Sequence, residues 1–242
     1  MKKQIRQSAA FIKGFLLFIR PHFFLGWLRQ PLLTTANIIR LSKWIAQQNK
    51  AGMNDFYTPG RNYSKRYQLY QHIIDQTNIA DQPVDYLEFG VAQGASVKWW
   101  ASNCTHNDWR FYGFDTFEGL PENWGLYKKG DMSANLPVIS DERVHFFKGL
   151  FQDSLPSFLS THPMQSDRRK LIHLDADLFS STLYVLTSLA PYLKKGDILL
   201  FDEFNVPNHE FYAFSLFCDS FYVKTKLIGA VNNYFQVALL IV

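Results

Sequence analysis

Short apolar runs that alternate with helical patterns constrain the fold more than any other feature of this sequence. From residue 84 onward, the runs VDYLEFG, WRFYGFD, VHFFKG, KLIHLD and DILLFDEF are separated by segments with apolar residues at helical spacing. Strands that alternate with helices predict an α/β fold, in which a mostly parallel sheet carries helices on both faces. The last two runs, KTKLIGAV and YFQVALLIV, are joined by Asn232-Asn233, which predicts a tight hairpin and an antiparallel last strand.

Acidic residues stand at the ends of four of these predicted strands. Glu88 and Asp115 close the first two runs, Asp175 follows KLIHL, and Asp202 lies within ILLFDEF. The carboxyl ends of parallel strands meet at one edge of the sheet, where ligands of open α/β sheets bind. A carboxylate behind a buried strand is costly unless a positive group lies against it. The sequence therefore predicts a ligand site at this edge and a positive partner for its acids.

The charge of the chain is divided unevenly. Residues 1–50 contain nine Lys and Arg and no Asp or Glu, whereas residues 51–242 hold 16 Lys and Arg against 21 Asp and Glu. Lys13 and the pair Arg20-Pro21 interrupt the apolar run of this basic arm, so it is a poor membrane span and a poor signal peptide. Two interpretations stay open. The arm lies in the interface of an anionic membrane, or it packs on the body or on a second subunit.

A glycine-containing turn follows the first predicted strand. In EFGVAQGAS, Gly90 and Gly94 allow a tight turn and a close approach to a ligand, at the start of a helix whose N-terminus favours a negative group. The turn is neither GxGxxG nor a P-loop, and alone it is weak evidence. Asp115, 25 residues after Gly90, is placed to accept hydrogen bonds from ribose hydroxyls or to cap a helix. Together with Glu88, these features favour a nucleoside ligand without a pyrophosphate.

Four segments carry a resemblance to a known family. They are EFGVAQGAS, GFDTFEGLP, FFKGLFQDSLP and LDADLFSSTLYVLTSLAPYLKKGDILLFDEF, in this order within residues 84–204. The sequence resembles the class I S-adenosylmethionine-dependent methyltransferases, and within them the macrocin O-methyltransferase group of sugar O-methyltransferases. The resemblance implies a Rossmann-like sheet of seven strands, mostly parallel with an antiparallel last strand. It also implies methyl transfer from S-adenosylmethionine to a hydroxyl of a sugar, a glycosylated metabolite or a glycan.

The resemblance further implies a metal site at the two acidic stretches. In the family they hold a divalent metal, usually Mg²⁺, and Asp175, Asp202 and Glu203 match the ligand positions. Hard oxygen ligands are those that Mg²⁺ prefers. Asp177 matches a carboxylate that takes a proton, so it is a catalytic candidate together with Asp175. Glu203 stands where the family usually has Asp, and its extra methylene moves the carboxylate by about 1.5 Å. His209 is a weaker candidate for the general base.

The resemblance places the expected cofactor contacts at the ends of the first strands. Glu88, Gly90 and Ser96 match the segment around the methionine part, and Gly94 belongs to the same turn. The other expected contacts are Asp115, Thr116 and Phe117 at the ribose and Gly149 and Phe151 beside the adenine.

A long, turn-rich insertion, residues 118–143, follows the second predicted strand. Long loops in compact domains are usually functional, which favours a lid over the substrate rather than a disordered loop. Trp124 and Tyr127 within it are placed to stack on a sugar ring. His173, inside a predicted strand, is expected in the core or near the site.

Two other classes of function remain as alternatives. An Asp-x-Asp pair such as Asp175-Ala176-Asp177 is also used by metal-dependent glycosyltransferases. A non-catalytic, membrane-associated module that binds S-adenosylmethionine would keep the same fold. A glycosyltransferase explains neither the glycine turn nor the acids that follow the fifth predicted strand. The complete acidic set argues against a non-catalytic module.

The sequence also leads to expectations about organisation and partners. We divide the chain into an arm with its linker (1–60) and a methyltransferase domain (61–242). The expected partners are a sugar-containing small molecule or a lipid-linked glycan, a membrane surface bound through the arm, and a second copy of the chain, but no nucleic acid. Cys104 and Cys218 cannot form a disulfide framework, which favours free thiols in the cytoplasm, with the protein peripheral at the inner membrane face.

Overall fold

One eight-stranded sheet organises the molecule. A computed structural model describes residues 2–48, 52–164 and 167–242. The strands are β1 Met53–Asn54, β2 Val84–Phe89, β3 Trp109–Asp115, β4 Val144–Lys148, β5 Arg169–Leu174, β6 Ile198–Phe201, β7 Thr225–Val231 and β8 Gln236–Ile241. They lie side by side in the order β1-β7-β8-β6-β5-β2-β3-β4.

The central strands are parallel and apolar on both faces. β2 is buried along its whole length and pairs in parallel with β3 on one side and β5 on the other. β4 continues the sheet in parallel beside β3, and β6 does so beside β5. A strand that is buried on both faces needs a layer of helices on each side, which the crossovers between parallel strands supply. The predicted, mostly parallel α/β sheet is confirmed.

The hairpin at the end of the chain confirms the predicted antiparallel last strand. β8 pairs antiparallel with both β6 and β7. The turn between β7 and β8 holds three consecutive residues at positive φ, namely Asn232, Asn233 and Tyr234, so it is longer than the two-residue link that we expected. The expected number of seven strands was wrong. The predicted linker supplies an eighth, because Met53–Asn54 pairs in parallel with β7, and two residues are too few to show a strand pattern.

Helices cover both faces of the sheet. They are α4 Lys65–Thr77, α5 Ala95–Asn103, α6 Phe151–Thr161, α7 Phe179–Leu189 and α8 Glu210–Phe221. Alternate side chains of β2 point to opposite faces: Leu87 and Phe89 join a core cluster with α6, α7 and α8, whereas Val84 and Tyr86 join a second cluster with α4 and α5. The sheet therefore carries a separate apolar core on each face. Polar and charged side chains can occupy the edge formed by the carboxyl ends of the strands.

The N-terminal arm is helical and only its last helix packs on the body. The helices are α1 Lys2–Phe18, α2 His22–Leu25 and α3 Arg29–Gln47, with a 3-10 turn at Gly26–Leu28. All side chains from residue 4 to residue 20 are exposed. Leu41 of α3, by contrast, belongs to the core cluster of α8. The ring of Trp44 contacts the rings of Phe204, Phe211, Phe214 and Tyr234.

Polar contacts also tie α3 to the body. Asn37 Nδ2 donates a hydrogen bond of 3.0 Å to Asn208 Oδ1, and Asn208 Nδ2 donates one of 2.6 Å to Thr34 Oγ1. Arg40 forms an ion pair with Asp219. The division at residue 60 stays a prediction. In the structure, packing continues across it, since both α3 and β1 lie against the body.

The docking of α3 leads to a prediction about two tryptophans of the arm. Trp44→Ala should lower the free energy of unfolding by about 2–4 kcal/mol, because truncating a packed aromatic ring leaves a cavity. Trp27→Ala is the matched control: its side chain is 74% exposed, and surface changes usually stay within about 0.5 kcal/mol. Urea denaturation measures both. Equal effects of the two substitutions would contradict the docking of α3.

Candidate functional site

A cavity of about 270 Å³ opens at the carboxyl ends of β2, β3, β5 and β6. β2 lies between β3 and β5, so the order of the strands reverses there, and open α/β sheets bind ligands at such a reversal. Three of the four predicted strand-end acids line the cavity, and Glu88 does not. The walls also include residues of the glycine turn, of the insertion and of α4.

The glycine turn fits closely against the end of β5. Gly90 has a φ of +93°, and a Cβ at this position would lie 1.8 Å from the carbonyl oxygen of Asp175. Only glycine allows this conformation together with so close an approach. A Cβ on Gly94, at φ +73°, would lie 3.0 Å from the ring of Pro137. Gly90 therefore lines the cavity, whereas Gly94 lets the insertion close over the turn.

Asp115 holds the glycine turn in place. Its Oδ2 accepts hydrogen bonds of 2.8 Å from the backbone N–H groups of Val91 and Ala92, and its Oδ1 accepts one of 2.7 Å from that of Phe117. The contacts join the end of β3 to the loop after β2. An ionised carboxylate has about four acceptor sites. Asp115 is therefore not a helix cap, and it keeps capacity to accept hydrogen bonds from a ligand in the cavity that it lines.

The acids after β5 and β6 meet in one cluster. Burial, together with the charge of Asp202, raises the pKa of Asp177 to about 7. Burial and the charge of Asp177 raise the pKa of Glu203 to about 8. The pKa of Asp175 lies well above its usual range for the same two reasons, burial and neighbouring carboxylates. Glu210, at the start of α8, extends the cluster, because its Oε2 accepts a hydrogen bond of 2.9 Å from the backbone of Glu203.

Arg66 of α4 is a positive group that lies against these acids, and the charge of Arg61 also acts on Asp202 and Glu203. Arg66 Nη1 lies 3.6 Å from Asp202 Oδ2, and the Arg66 side chain lines the cavity. The sequence did not point directly to this residue, because the segment KRYQLYQHIIDQTNI shows only the polar face of an amphipathic helix. The signal that pointed to it was indirect: acids behind buried strands need a positive partner. Arg66 meets that need in part, since it contacts one carboxylate of several.

The donor atoms of the cluster fit Mg²⁺ chemically. Three buried carboxylate oxygens have no hydrogen-bond partner: Asp202 Oδ1, Glu203 Oε2 and Glu210 Oε1. Hard oxygens of this kind are the ligands of Mg²⁺, and a divalent cation would offset the repulsion that raises the pKa values. As the side chains lie, no three His, Cys, Asp or Glu groups among the described residues stand in metal-binding geometry. The carboxylates would have to turn to enclose the ion.

Two candidates for the general base lie side by side. Asp177 has a φ of +55°, an uncommon conformation for a residue other than glycine, and such strain clusters at functional sites. It follows β5 in a tight turn and lines the cavity. The backbone of Asp177 forms a hydrogen bond with His209, whose pKa is lowered by burial, so the imidazole is neutral at pH 7. His209 Nδ1 is buried without a partner.

The insertion crosses the same end of the sheet. Ser180 Oγ of α7 donates a hydrogen bond of 3.2 Å to Glu122 Oε1, and the Trp124 ring lies edge-on to that of His209 at 6.2 Å. Trp124 and Tyr127 stack on each other, with ring centroids 5.4 Å apart, so they do not enclose a space for a sugar. Part of the insertion lines the cavity. Its role as a lid stays a prediction.

Apart from Tyr63 and Arg66, the residues that line this cavity lie within one segment that matches a known family. Residues 87–204 match the model of a family described as a methyltransferase domain. This part of the chain therefore carries the sequence pattern of a methyltransferase domain. The match extends from β2 to the residue after Glu203, and so includes the glycine turn, the insertion and both acidic stretches. It confirms the resemblance to methyltransferases that the motifs indicated.

Two curated relatives are O-methyltransferases. The chain is 27% identical over 166 residues to the 8-demethyl-8-(2,3-dimethoxy-alpha-L-rhamnosyl)-tetracenomycin-C 4'-O-methyltransferase of Streptomyces olivaceus, with 59% of this chain and 61% of the relative covered. It is 23% identical over 209 residues to the mycinamicin III 3''-O-methyltransferase of Micromonospora griseorubida, with 75% and 80% covered. The chain therefore spans about three fifths of the length of the first relative.

A solved structure shares the fold. The crystal structure of CalS11, a calicheamicin methyltransferase, superposes with a TM-score of 0.58 at 21% identity, and 85% of this chain and 91% of that chain are covered. At this identity the likeness concerns the fold alone. It confirms the predicted Rossmann-like methyltransferase fold, in which helices surround one mixed sheet.

The nine expected cofactor residues do not all lie at the cavity. Four of them line the cavity: Gly90, Asp115, Thr116 and Phe151. The others stand back from it. Ser96 Oγ shares a hydrogen bond of 3.1 Å with the Tyr70 hydroxyl in the core, Phe117 packs edge-on against Phe146, and Gly149 lines a separate depression beside Lys148. The cofactor roles of all nine stay predictions.

Glu88 lies beneath the cavity of the methyltransferase domain. The Tyr86 hydroxyl donates a hydrogen bond of 2.5 Å to Glu88 Oε2 and lies 2.8 Å from His173 Nδ1. Burial raises the pKa of Glu88 to about 8 and lowers that of His173 to about 3. His173 is therefore a neutral core histidine near the site, as its place in a strand suggested. Glu88 supports the floor of the cavity through this hydrogen-bonded chain.

The raised pKa values predict how stability depends on pH. Glu88 and Glu203 have folded pKa values of about 8 against an ordinary 4.5, so unfolding releases protons in this range. The unfolded state then binds fewer protons, and stability falls as pH rises. We expect the melting temperature of the metal-free, ligand-free protein in EDTA to fall as pH rises from about 4.5 to about 8. A melting temperature that rises over this window would contradict the electrostatics of the cluster.

The contacts of Asp115 predict a double effect of its removal. Asp115→Ala should weaken S-adenosylhomocysteine binding by about 1.5–3 kcal/mol, the range for hydrogen bonds to a charged group. It should also lower the melting temperature of the ligand-free protein, because the glycine turn loses its hydrogen bonds to the Asp115 carboxylate. Calorimetry and thermal melting measure the two effects. Asp108→Ala, an exposed acid just before β3, is the control. Unchanged affinity in Asp115→Ala would leave this residue a purely structural role.

Proposed function

We propose that the protein is an S-adenosylmethionine-dependent, Mg²⁺-dependent O-methyltransferase that acts on a hydroxyl of a sugar in a glycosylated metabolite or glycan. One observation carries the proposal: a single cavity joins the glycine turn and Asp115 to the acidic cluster. A site for a nucleoside and a site for a hydroxyl acceptor then lie next to each other. Both curated relatives are O-methyltransferases by name, and the first names a rhamnosyl group.

The donor end of the cavity lies at β2 and β3. Gly90 leaves the backbone uncovered, Asp115 offers carboxylate oxygens to ribose hydroxyls, and Phe151 presents an aromatic ring at the N-terminus of α6. S-adenosylmethionine bound here would supply the methyl group. The acidic cluster follows β5 and β6, on the side of β2 away from β3, and Arg66 lies against Asp202, so the acceptor hydroxyl would approach from that side.

The acceptor end supplies the proton chemistry. Asp175, Asp202 and Glu203 are the residues that would hold Mg²⁺, which when bound would lower the pKa of an acceptor hydroxyl. Asp177 takes the hydroxyl proton in this proposal, because a pKa of about 7 suits a general base near neutral pH. His209 does not line the cavity and its unpartnered Nδ1 is buried, so it is the weaker candidate. Glu203 keeps its carboxylate in the cavity wall, so the longer side chain is compatible with the role of the usual Asp.

The two alternative functions explain less of the site. A glycosyltransferase would use Asp175 and Asp177 for a nucleotide sugar, yet these acids share their cavity with Asp202, Glu203 and the glycine turn. The match to a methyltransferase domain does not favour it. A non-catalytic binding module would have no use for a cluster of buried carboxylates whose mutual repulsion costs stability.

We extend the proposal to the setting of the enzyme. The acceptor is a sugar-containing small molecule or a lipid-linked glycan, and a homodimer is compatible with the fold. Both cysteines are free thiols, with Cys104 buried and Cys218 partly buried, which supports a reducing compartment such as the cytoplasm. A peripheral contact with the inner face of the membrane fits the basic arm.

The metal proposal predicts the effect of removing one carboxylate. Asp202→Asn should lower turnover at least about a hundredfold, since metal-ion catalysis is worth several kcal/mol and each 1.36 kcal/mol is tenfold. Calorimetry with S-adenosylhomocysteine should show near-normal cofactor affinity. EDTA should inhibit the wild-type protein and Mg²⁺ should restore it. The control Glu142→Gln, at an exposed position, should behave as wild type. Full turnover in EDTA would overturn the metal while leaving methyl transfer intact.

A further inference from the structure

The arm presents an exposed apolar surface that no described residue of the body covers. We call it the arm surface and define it as the exposed apolar side chains between Ile5 and Ile39, among them Phe11, Phe18 and Trp27. No residue before Leu41 belongs to either core cluster of the described chain. Exposed apolar patches of this extent usually mark a surface for a partner or a membrane.

The first helix of the arm is amphipathic, with a basic polar face. Phe11, Phe15 and Phe18 follow one another at intervals of four and three residues, which places them along one side of α1. Lys2, Arg6 and Lys13 lie on another side, at intervals of four and seven residues. Apolar residues on one face with Lys and Arg on the other are typical of helices that lie in the plane of a membrane interface.

The second stretch of the arm continues this surface at its bend. Phe23, Phe24 and Trp27 are exposed where α1 gives way to α3, and amphipathic aromatic rings favour the level of lipid headgroups. Among the described residues, no single helix has the length and apolar character needed to cross a bilayer. Gln4–Phe18 and His22–Gln47 meet those criteria only together, as a pair bent by 64°. The later part of this pair is already tied to the body through Asn37 and Trp44.

The arm surface lies at the same end of the molecule as the cavity. Thr34 and Asn37 contact Asn208, which follows β6 on the carboxyl-end side. Gln47, at the other end of α3, lies beside Thr225, the first residue of β7. β7 runs parallel to β6, because both pair antiparallel with β8. α3 therefore runs from the cavity end of the sheet toward the opposite end, and the residues before it project on the cavity side.

We propose that the arm surface docks on an anionic lipid bilayer, with α1 in the plane of the interface and the cavity end of the sheet turned toward the lipid. The positive charge of the arm favours an anionic bilayer as its partner. Residues 1–50 contain nine Lys and Arg and no acid, and each such charge near an anionic surface adds to binding. Two arms placed against each other would instead bring like charges together. Resting on the proposed function, this geometry would deliver a lipid-linked sugar to the cavity.

Vesicle co-sedimentation of the full-length chain tests the docking. We expect binding to vesicles that contain phosphatidylglycerol, weaker binding to pure phosphatidylcholine, and a steep loss as ionic strength rises from about 0.01 M to about 0.15 M, where the Debye length falls from about 30 to about 8 Å. The change Lys2→Gln, Arg6→Gln and Lys13→Gln in one chain should weaken binding about fivefold for each charge. These effects report on lipid alone and need no methyl transfer.

A second set of variants distinguishes vesicle binding through the arm surface from nonspecific hydrophobic binding. Phe11→Ser, Phe15→Ser and Phe18→Ser in one chain should weaken vesicle binding roughly a thousandfold, since each buried Phe is worth about tenfold. The melting temperature should not change, because α1 is exposed. The control combines Leu126→Ser, Val138→Ser and Tyr222→Ser, three exposed apolar residues of the body, and should bind as wild type.

Three outcomes would overturn the docking proposal. The full-length chain ignores all vesicles, or it self-associates through the arm without binding lipid, or it resists alkaline extraction from vesicles, as a spanning segment would. Vesicle binding that is lost in the Phe variant and kept in the control supports it. A chain that docks in this way but transfers no methyl group would contradict the proposed function alone.

Discussion

Repulsion between carboxylates in one desolvated cavity is the constraint on which the rest of the site depends. Asp175, Asp177, Asp202 and Glu203 share a wall, and burial raises the pKa of each. Buried like charges are stable only with a compensating cation or with bound protons. Arg66 supplies one positive charge at 3.6 Å from Asp202. The unpartnered carboxylate oxygens show that this compensation is incomplete, and the Mg²⁺ that we propose would complete it.

Elements on both faces of the sheet position the groups that surround these acids. Arg66 comes from α4, which is held by its buried residues Leu69, Tyr70 and Ile73. The segment before α4 is tied to the hairpin turn, since the backbone N–H groups of Asn62 and Thr58 donate to the side chains of Asn232 and Asn233 at 2.8 Å. The last hairpin, which makes no wall of the cavity, thereby sets the position of the arginine that faces the acids. The arm adds α3 next to Asn208, at the same end.

Much of this arrangement could be predicted from the sequence, because parallel strands have a simple consequence. Four apolar runs that end in acids must bring those acids to one edge, and Asp115, Asp175 and Asp202 do meet there. Glu88 is the exception in position, because its side chain turns back into the protein and accepts a hydrogen bond from Tyr86 beneath the cavity. Arg66 was missed because a helical pattern shows which face is polar but not what that face meets. The direction of the Glu88 side chain and the partner of Arg66 both depend on tertiary contacts, which the spacing of apolar residues along the sequence does not encode.

Calorimetric titration of Mg²⁺ into the protein at pH 7, in two buffers of different ionisation enthalpy, tests the central claim most directly. Burial raises the pKa of Glu203 to about 8 and that of Asp177 to about 7, so part of the cluster is expected to carry protons at pH 7. A metal must displace those protons to bind. The account predicts saturable binding with a net release of protons, and loss of both in Asp202→Asn. Absence of binding, or binding without proton release, would contradict it.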